Sequence, residues 1–369
     1  MAEALKNFFD ERLVRAIASE LAVVHAPFAA ADFVSLCLDG LSALGLTQRA
    51  WQIANALHAT LPAPFPHAAD VLVRSLGPEL ASTEKFGMAP FRYLPHVYFV
   101  QSHGLGHFDV AMQAQYELTK RFSAESSIRP YLVRYPEKTL TLLVEWTRDD
   151  NPHVRRLVSE GTRPRLPWAP RLAMFQRDPS SVLELLERLK DDPVRYVQRS
   201  VANNLNDVAK DHPDRVVALC KRWLTGAPPG RRWIVNHALR SLLKSTHSGA
   251  LHLVGAGEAP SVRIACVELE PGRVKRGGTL RFSFALVSTA KRAQQLLVDY
   301  AVHFVKADGK PRAKVFKLRR LELLPKATMR LSGEVSFADL TTRRHYPGAH
   351  RIDVLVNGSS RRLGSVAVY

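Results

Sequence analysis

The sequence predicts a multidomain α + β protein, a solenoid of paired helices followed by a small all-β sandwich. Three observations carry this expectation. Apolar residues recur at intervals of three and four up to about residue 245, and alternate after about residue 260. The helical part contains an internal repeat. The chain has 369 residues, 46% of them hydrophobic, which is enough for two cores.

In chain order, residues 1–22, 30–45 and 46–60 have helical periodicity, and the proline-rich stretch 61–98 reads as one or two divergent capping repeats. The repeat then becomes explicit. Tyr135-Pro136-Glu137-Lys138, running on to Trp146, matches His212-Pro213-Asp214-Arg215, running on to Trp223, at a shift of 77. Asp178-Pro179 opens a third copy, shifted by 43 from the first. Each copy places a proline at a helix start, where its missing N–H costs nothing. A second helix follows each, over 152–161, 194–207 and 231–243. Helix pairs recurring every roughly 35–45 residues describe a HEAT-like repeat array with one concave face. In the first of these second helices Val154, Leu157, Val158 and Gly161 form the expected buried stripe, with Arg156 and Glu160 opposite. The repeat extends that column to Arg121/Glu125, Arg199/Asn203 and Asn236/Arg240, with Asp207 one turn beyond Asn203. Any one Arg–Glu pair at this spacing is an ordinary surface pair worth roughly 0.2–0.5 kcal/mol. Two in matching repeat positions invite a functional reading.

The segments 245–249 and 255–260, rich in Ser, Gly and Pro, separate the helical domain (1–250) from the sandwich (258–369). Residues 263–269, 279–288, 296–305, 314–320, 328–337 and 351–357 read as strands. Pro-Gly at 271–272 and 347–348, Asp-Gly at 308–309 and Asn-Gly at 357–358 supply the turns. Six or seven short strands in about 110 residues indicate an immunoglobulin-like β-sandwich. Cys37, Cys220 and Cys266 form no close pair and read as reduced core cysteines of a cytoplasmic protein.

The formal net charge is +18. No apolar run is long enough for a membrane span and the N-terminus lacks a signal peptide pattern, so a nucleic-acid partner is expected ahead of a membrane. Residues 258–369 hold 21 Lys and Arg against 9 Asp and Glu, a net +12, leaving +6 for residues 1–257. The excess gathers in Arg273, Lys275 and Arg276, in Lys317, Arg319 and Arg320, and in Arg343, Arg344, Arg361 and Arg362. These are either an accessory grip on DNA or charged strand edges that discourage aggregation.

Directly after Glu160 comes Gly-Thr-Arg-Pro-Arg-Leu-Pro-Trp, ending at Trp168. Prolines 164, 167 and 170 keep this segment out of a helix, so Trp168 stands on a stiff loop. It is either a hydrophobic cap between repeats or an aromatic platform for a base, with Arg148, Arg163 and Arg165 as candidate phosphate contacts. His103 and His107 have the spacing of a helical zinc pair, but Gly104 and Gly106 between them argue against a helix, and no third ligand follows. Neither metal nor cofactor is expected.

The stretch Glu145–Trp168, its copy at 191–207 and the paired-helix repeats resemble the bacterial HEAT-like-repeat alkylpurine DNA glycosylases, and within them the C-type branch (AlkC) with a C-terminal immunoglobulin-like domain. The most specific part is the string from Ser159 to Trp168. The resemblance spans essentially the whole chain. It implies a monomeric, monofunctional enzyme of base excision repair in the bacterial cytoplasm, acting at the nucleoid. It further implies hydrolysis of the N-glycosidic bond of 3-methyladenine, and with it 3-methylcytosine, in duplex DNA. In that family the DNA is bent and its backbone gripped without flipping the base. Carried over by motif, Glu160 is the catalytic carboxylate with Glu125 beside it, Asp207 a second acidic position, Trp168 the aromatic contact and Arg156 a DNA contact. The residue types suit the chemistry. A cationic base leaves without a general acid, and an ionised carboxylate near C1′ stabilises the oxocarbenium-like sugar and orients water. The other reading is a non-enzymatic scaffold that binds distorted DNA or a protein partner with the same basic face, on which Arg199 and Arg240 are further DNA-contact candidates beside Lys275, Arg276, Arg319 and Arg320 of the sandwich. An exposed Glu160 beside Trp168 would favour the enzyme, and a Glu160 tied up by Arg156 the scaffold.

Overall fold

The computed structural model describes residues 5–84, 87–340 and 344–369. The chain divides into two compact units, one formed by the residues up to His212 with Trp223–Ala238, the other by Pro213–Arg222 with Leu239–Tyr369.

The first unit opens with α1 (Glu11–Val24), α2 (Ala30–Leu38), α3 (Leu46–Thr60), α4 (Phe65–Arg74), α5 (Leu94–His103) and α6 (Phe108–Thr119). The continuous helix expected over 1–22 is interrupted because Asp10 caps α1, its carboxylate accepting from Leu13 N at 2.8 Å. The helix expected over 30–45 stops at Leu38, and Gly40 follows at φ 63°, a conformation glycine adopts freely. The repeats proper comprise α7 (Arg129–Arg134), α8 (Pro136–Trp146), α9 (Pro152–Gly161), α10 (Ala173–Arg177), α11 (Ser180–Leu189), α12 (Arg195–Val208), α13 (Pro213–Leu224) and α14 (Pro229–Ala238). Helix α8 packs on α9 and α11 on α12, and α12 lies between α9 and α14. The repeated tryptophans close these helices as core residues. Trp146 packs against Tyr116, and the Trp223 indole donates to Glu187 at 2.6 Å.

Two expected repeat positions differ. Arg121 lies beyond the end of α6 and pairs with Glu117 at 2.8 Å, while Glu125 sits in the following turn and pairs elsewhere. The two are therefore not an i,i+4 helix pair. The segment 231–243 is two helices, α14 and α15 (Arg240–Lys244), broken at Leu239, so Asn236 and Arg240 do not share one helix face.

In the second unit, α15 and α16 (Ser248–Leu253) precede eight strands: β1 (Val262–Glu270), β2 (Arg273–Val274), β3 (Thr279–Ser288), β4 (Gln294–Val305), β5 (Pro311–Leu323), β6 (Thr328–Ser336), β7 (Gly348–Val356) and β8 (Ser359–Val368). They form a three-stranded sheet, β1-β3-β6, and a five-stranded sheet, β2-β8-β7-β4-β5. The alternating apolar positions of both sheets meet in one core around Phe282, Phe284, Val302, Phe304 and Ile352. Cys37 and Cys220 are buried as expected. Cys266 is exposed, because β1 bulges between Ala265 and Glu268 and takes Cys266 to φ 50°. Among the described residues no helix is long and apolar enough to cross a membrane. His103 lies in α5 and stacks on His58 at 3.7 Å, and no group of three His, Cys, Asp or Glu side chains among the described residues could hold a metal.

Candidate active site

Helix α9 starts on Pro152, with Asn151 accepting from His153 N at 2.9 Å. It ends at Gly161, where a Cβ would lie 2.7 Å from Ile128 Cγ2. Only glycine lets this last turn sink so deep, and Glu160 goes down with it. Glu160 is buried, not on the open face opposite the stripe, because Ser200 of α12 supplies a polar partner inside the packed interface. Its Oε2 accepts from Ser200 Oγ at 2.6 Å and its Oε1 from Arg163 Nη1 at 2.6 Å, with Arg156 Nη2 at 3.6 Å. Arg156 pairs mainly with Glu125 at 2.6 Å and lies over the Tyr196 ring at 5.1 Å. Arg163 also donates to Asp207 Oδ2 at 2.8 Å, and Lys210 caps Asp207 Oδ1 at 2.9 Å. Acid and base thus alternate from Glu125 through Arg156, Glu160, Arg163 and Asp207 to Lys210.

Burial pushes the Glu160 carboxyl up, but Arg156 and Arg163, with hydrogen bonds from Ser200 and Arg163, outweigh it and hold Glu160 below the usual glutamate range. Glu160 is ionised at neutral pH although enclosed. Glu125 is the carboxylate with an open side: its side chain is 29% exposed and lines a cleft of about 320 Å³. Arg156, Tyr196 and Trp168 line the same cleft, opposite Phe91, Leu94 and Tyr98. Trp168 is 84% exposed and sits at φ 63°, a conformation costing a bulky residue about 1–3 kcal/mol. At that exposure it is no hydrophobic cap between repeats.

A family model described as DNA alkylation repair enzyme matches residues 122–242, and one described as the C-terminal Ig-like domain of the uncharacterised protein YhaZ matches residues 263–368. The chain is 35% identical to the uncharacterized protein YhaZ of Bacillus subtilis strain 168, over 96% of each protein. It is 40% identical, over the full length of both chains and with a TM-score of 0.92, to the Pseudomonas fluorescens alkylpurine DNA glycosylase AlkC, whose structure was solved bound to DNA containing an abasic site analog. The chain belongs to the AlkC family of alkylpurine DNA glycosylases. It is a DNA glycosylase, and the non-enzymatic scaffold is set aside. The exposed Glu160 expected of an enzyme is not found, since it is buried between Arg163 at 2.6 Å and Arg156 at 3.6 Å; the family match, not its exposure, decides against the scaffold.

The basic residues of this AlkC-type glycosylase sort by environment. Arg163, expected at a phosphate, is enclosed between Glu160 and Asp207, where neutralising two buried carboxylates takes up its charge. Arg165 is half-engaged, paired with Asp211 at 2.6 Å. Arg148 and Arg199 are exposed and make no ion pair among the described residues. Arg240 is part-buried in α15. Lys275, Arg276, Arg319 and Arg320 are exposed, but Arg320 donates to the Val254 carbonyl. The two basic runs lie by β2 and on β5, the opposite edges of the five-stranded sheet, so four strand spacings or about 19 Å separate them. They are two surfaces, not one patch. Arg343 lies outside the described residues. Ser200, Tyr196 and Arg129 were not foreseen as site residues. The signal for Ser200 was a polar side chain, with Asn204 one turn on, in the buried stripe of Val197 and Val201.

Proposed function

We propose that this glycosylase excises cationic N-methylated bases, 3-methyladenine and 3-methylcytosine, from duplex DNA by hydrolysis alone and without base flipping. The observation that carries this is an ion-paired Glu160–Arg156–Glu125 array whose open member, Glu125, lines the same cleft as the exposed Trp168. Glu125 meets the sugar and water, Glu160 supplies the fixed negative potential behind Arg156, and Asp207 holds Arg163 against Glu160. A negative potential at C1′ stabilises an oxocarbenium-like sugar, and a methylated cationic base departs without being protonated, so no cofactor is needed.

Hydrolysis without strand cleavage is supported by the cleft lining, which among the described residues contains no lysine to act as an amine nucleophile. Absence of flipping is supported by the position of Glu125 at a rim beside an exposed ring, reached from the surface and not from the bottom of a base-enclosing pocket. Trp168 then favours the cationic lesion by roughly 0.5–2 kcal/mol through cation–π attraction, and the lability of the lesion supplies the rest. Residues 1–250 carry the chemistry, and 258–369 serve as an accessory DNA-binding domain through Lys275, Arg276, Arg319 and Arg320. Arg148, Arg199 and Arg240 contribute further phosphate contacts. The enzyme acts as a monomer on nucleoid DNA in the bacterial cytoplasm.

The test is release of free base from duplexes bearing a single 3-methyladenine or 3-methylcytosine, by wild type and by Glu160→Gln. Release by wild type and its loss in the variant is the expected result. Firm DNA binding with negligible release by wild type overturns the proposal.

A further inference from the structure

Arg129, at the start of α7, is almost completely buried, yet no carboxylate lies within ion-pair distance of it among the described residues. Its guanidinium is spent on main-chain carbonyls. Nη1 donates to Gly161 O at 3.0 Å and to Arg163 O at 2.8 Å, while Nε and Nη2 donate to Pro170 O at 3.1 and 2.5 Å. These acceptors stand at the two ends of the loop that carries Trp168. The loop cannot satisfy them itself, because Pro164, Pro167 and Pro170 have no N–H to offer and the last carbonyls of α9 have no helical partner. The loop's own main-chain bonds are from Leu172 N to Pro164 O at 3.1 Å and a long one from Ala169 N to Leu166 O at 3.4 Å, and neither reaches the carbonyls that Arg129 takes.

Burial draws the Arg129 pKa down to about 10, still far above neutrality, so the clamp is charged under working conditions. A charge-assisted bond to a carbonyl is stronger than a neutral one, and the planar fork addresses several acceptors at fixed angles, which an ammonium cannot do.

We infer that Arg129 is a positioning residue that staples the start of the Trp168 loop to its end, and so fixes the aromatic platform relative to the end of α9 that bears Glu160. The inference deepens the proposed function and rests on the reading of Trp168 as the lesion contact. Arg129 touches neither DNA nor the reacting atoms. Its effect passes through the loop, and Trp168 keeps its left-handed backbone because both ends of the loop are held.

Two variants test this, Arg129→Lys, which keeps the charge but not the fork, and Arg129→Met, which keeps the length alone. Trypsin can cut at Arg165 and Arg171 inside the loop, and in both variants cutting there is expected to quicken about tenfold or more, with the other sites unaffected. Single-turnover base release is expected to fall by no more than loss of Trp168 itself would cost, about 2- to 30-fold, with affinity for undamaged duplex unchanged. In a Trp168→Ala background Arg129→Lys should cost nothing further. Unchanged protection of the loop overturns the inference, and so does an equal loss of release with and without Trp168. Should Trp168→Ala itself leave release intact, the platform reading falls, and the trypsin pattern alone decides the staple. If neither variant folds, wild type decides: cutting at Arg165 and Arg171 must then await global unfolding, and rapid local cutting refutes the staple.

Discussion

Replacing Glu160 by Gln removes one charge and almost no volume. The amide oxygen still accepts from Arg163, and its nitrogen is placed to donate to Ser200, which now stands 2.6 Å from the carboxylate. No cation is stranded, because Arg156 keeps Glu125 at 2.6 Å and Arg163 keeps Asp207 at 2.8 Å. Leaving a buried charge without its partner costs about 3–5 kcal/mol, so a variant that strands none should lose much less, about 1 kcal/mol. The reaction does not escape so lightly. Removing one preorganised electrostatic group from a reaction that develops charge costs about 2.7–4 kcal/mol, a fall of about 10²–10³ in the chemical step. Affinity for DNA should be equal or tighter, since a negative charge near phosphates has gone. Single-turnover release from a 3-methyladenine duplex, beside a thermal melt and a binding titration, separates these effects. Release at the wild-type rate would refute the electrostatic role. So would a loss of release matched by a collapse in stability, since the array would then be only structural.

The opposite mutation, Arg163→Met, leaves Glu160 with only Arg156 at 3.6 Å and Asp207 with only the exposed Lys210 at 2.9 Å, and should cost up to about 3–5 kcal/mol in a denaturant melt. In Arg163→Gln the acid limb of the release profile should move to higher pH, because burial then raises Glu160 with less opposition. In the wild type that limb is expected on the acid side of the ordinary glutamate range, because Arg156 and Arg163 hold Glu160 down. The sign follows for stability: the depressed carboxyl contributes above pH 4.5, and the contribution is lost as pH falls through the lower folded value. Trp168→Ala should slow release of a cationic base by the 0.5–2 kcal/mol of cation–π attraction, about 2- to 30-fold, without lowering the melting temperature. Trp168→Gly should raise it by relieving the left-handed backbone. Neutralising Lys275 with Arg276, and separately Arg319, should each reduce the salt dependence of binding, by about 0.9 in log–log slope for every phosphate that the variant no longer neutralises. Edges that do not touch DNA would leave the slope unchanged.

Much of this architecture was legible because its signals are local. A proline with a tryptophan ten residues later marks a helix and the core contact that closes it, and alternation between Pro-Gly and Asn-Gly turns marks a strand. The string around Glu160 and Trp168 was legible for the same reason, since three prolines forbid a helix wherever they stand. What local pattern could not say is which side chains face one another across repeats. Glu160 read as surface-facing because its buried partner Ser200 lies 40 residues away on another helix. Arg121 and Glu125 read as a pair because their spacing copied that of Arg156 and Glu160, but α6 had already ended at Thr119. The task of Arg129 was invisible for a related reason, as carbonyls leave no trace in a sequence.

The alternating file from Glu125 to Lys210 bears on how the enzyme travels. Three acids face Arg156, Arg163 and the exposed Lys210, so the reactive spot offers passing phosphates no unmatched cation to hold them. If the proposed function holds, undamaged duplex would be gripped elsewhere and would pass the carboxylates without being held there. On the proposed function, a cationic methylated base would arrive as the positive charge that the file has not already answered, and would be held at the open side of Glu125.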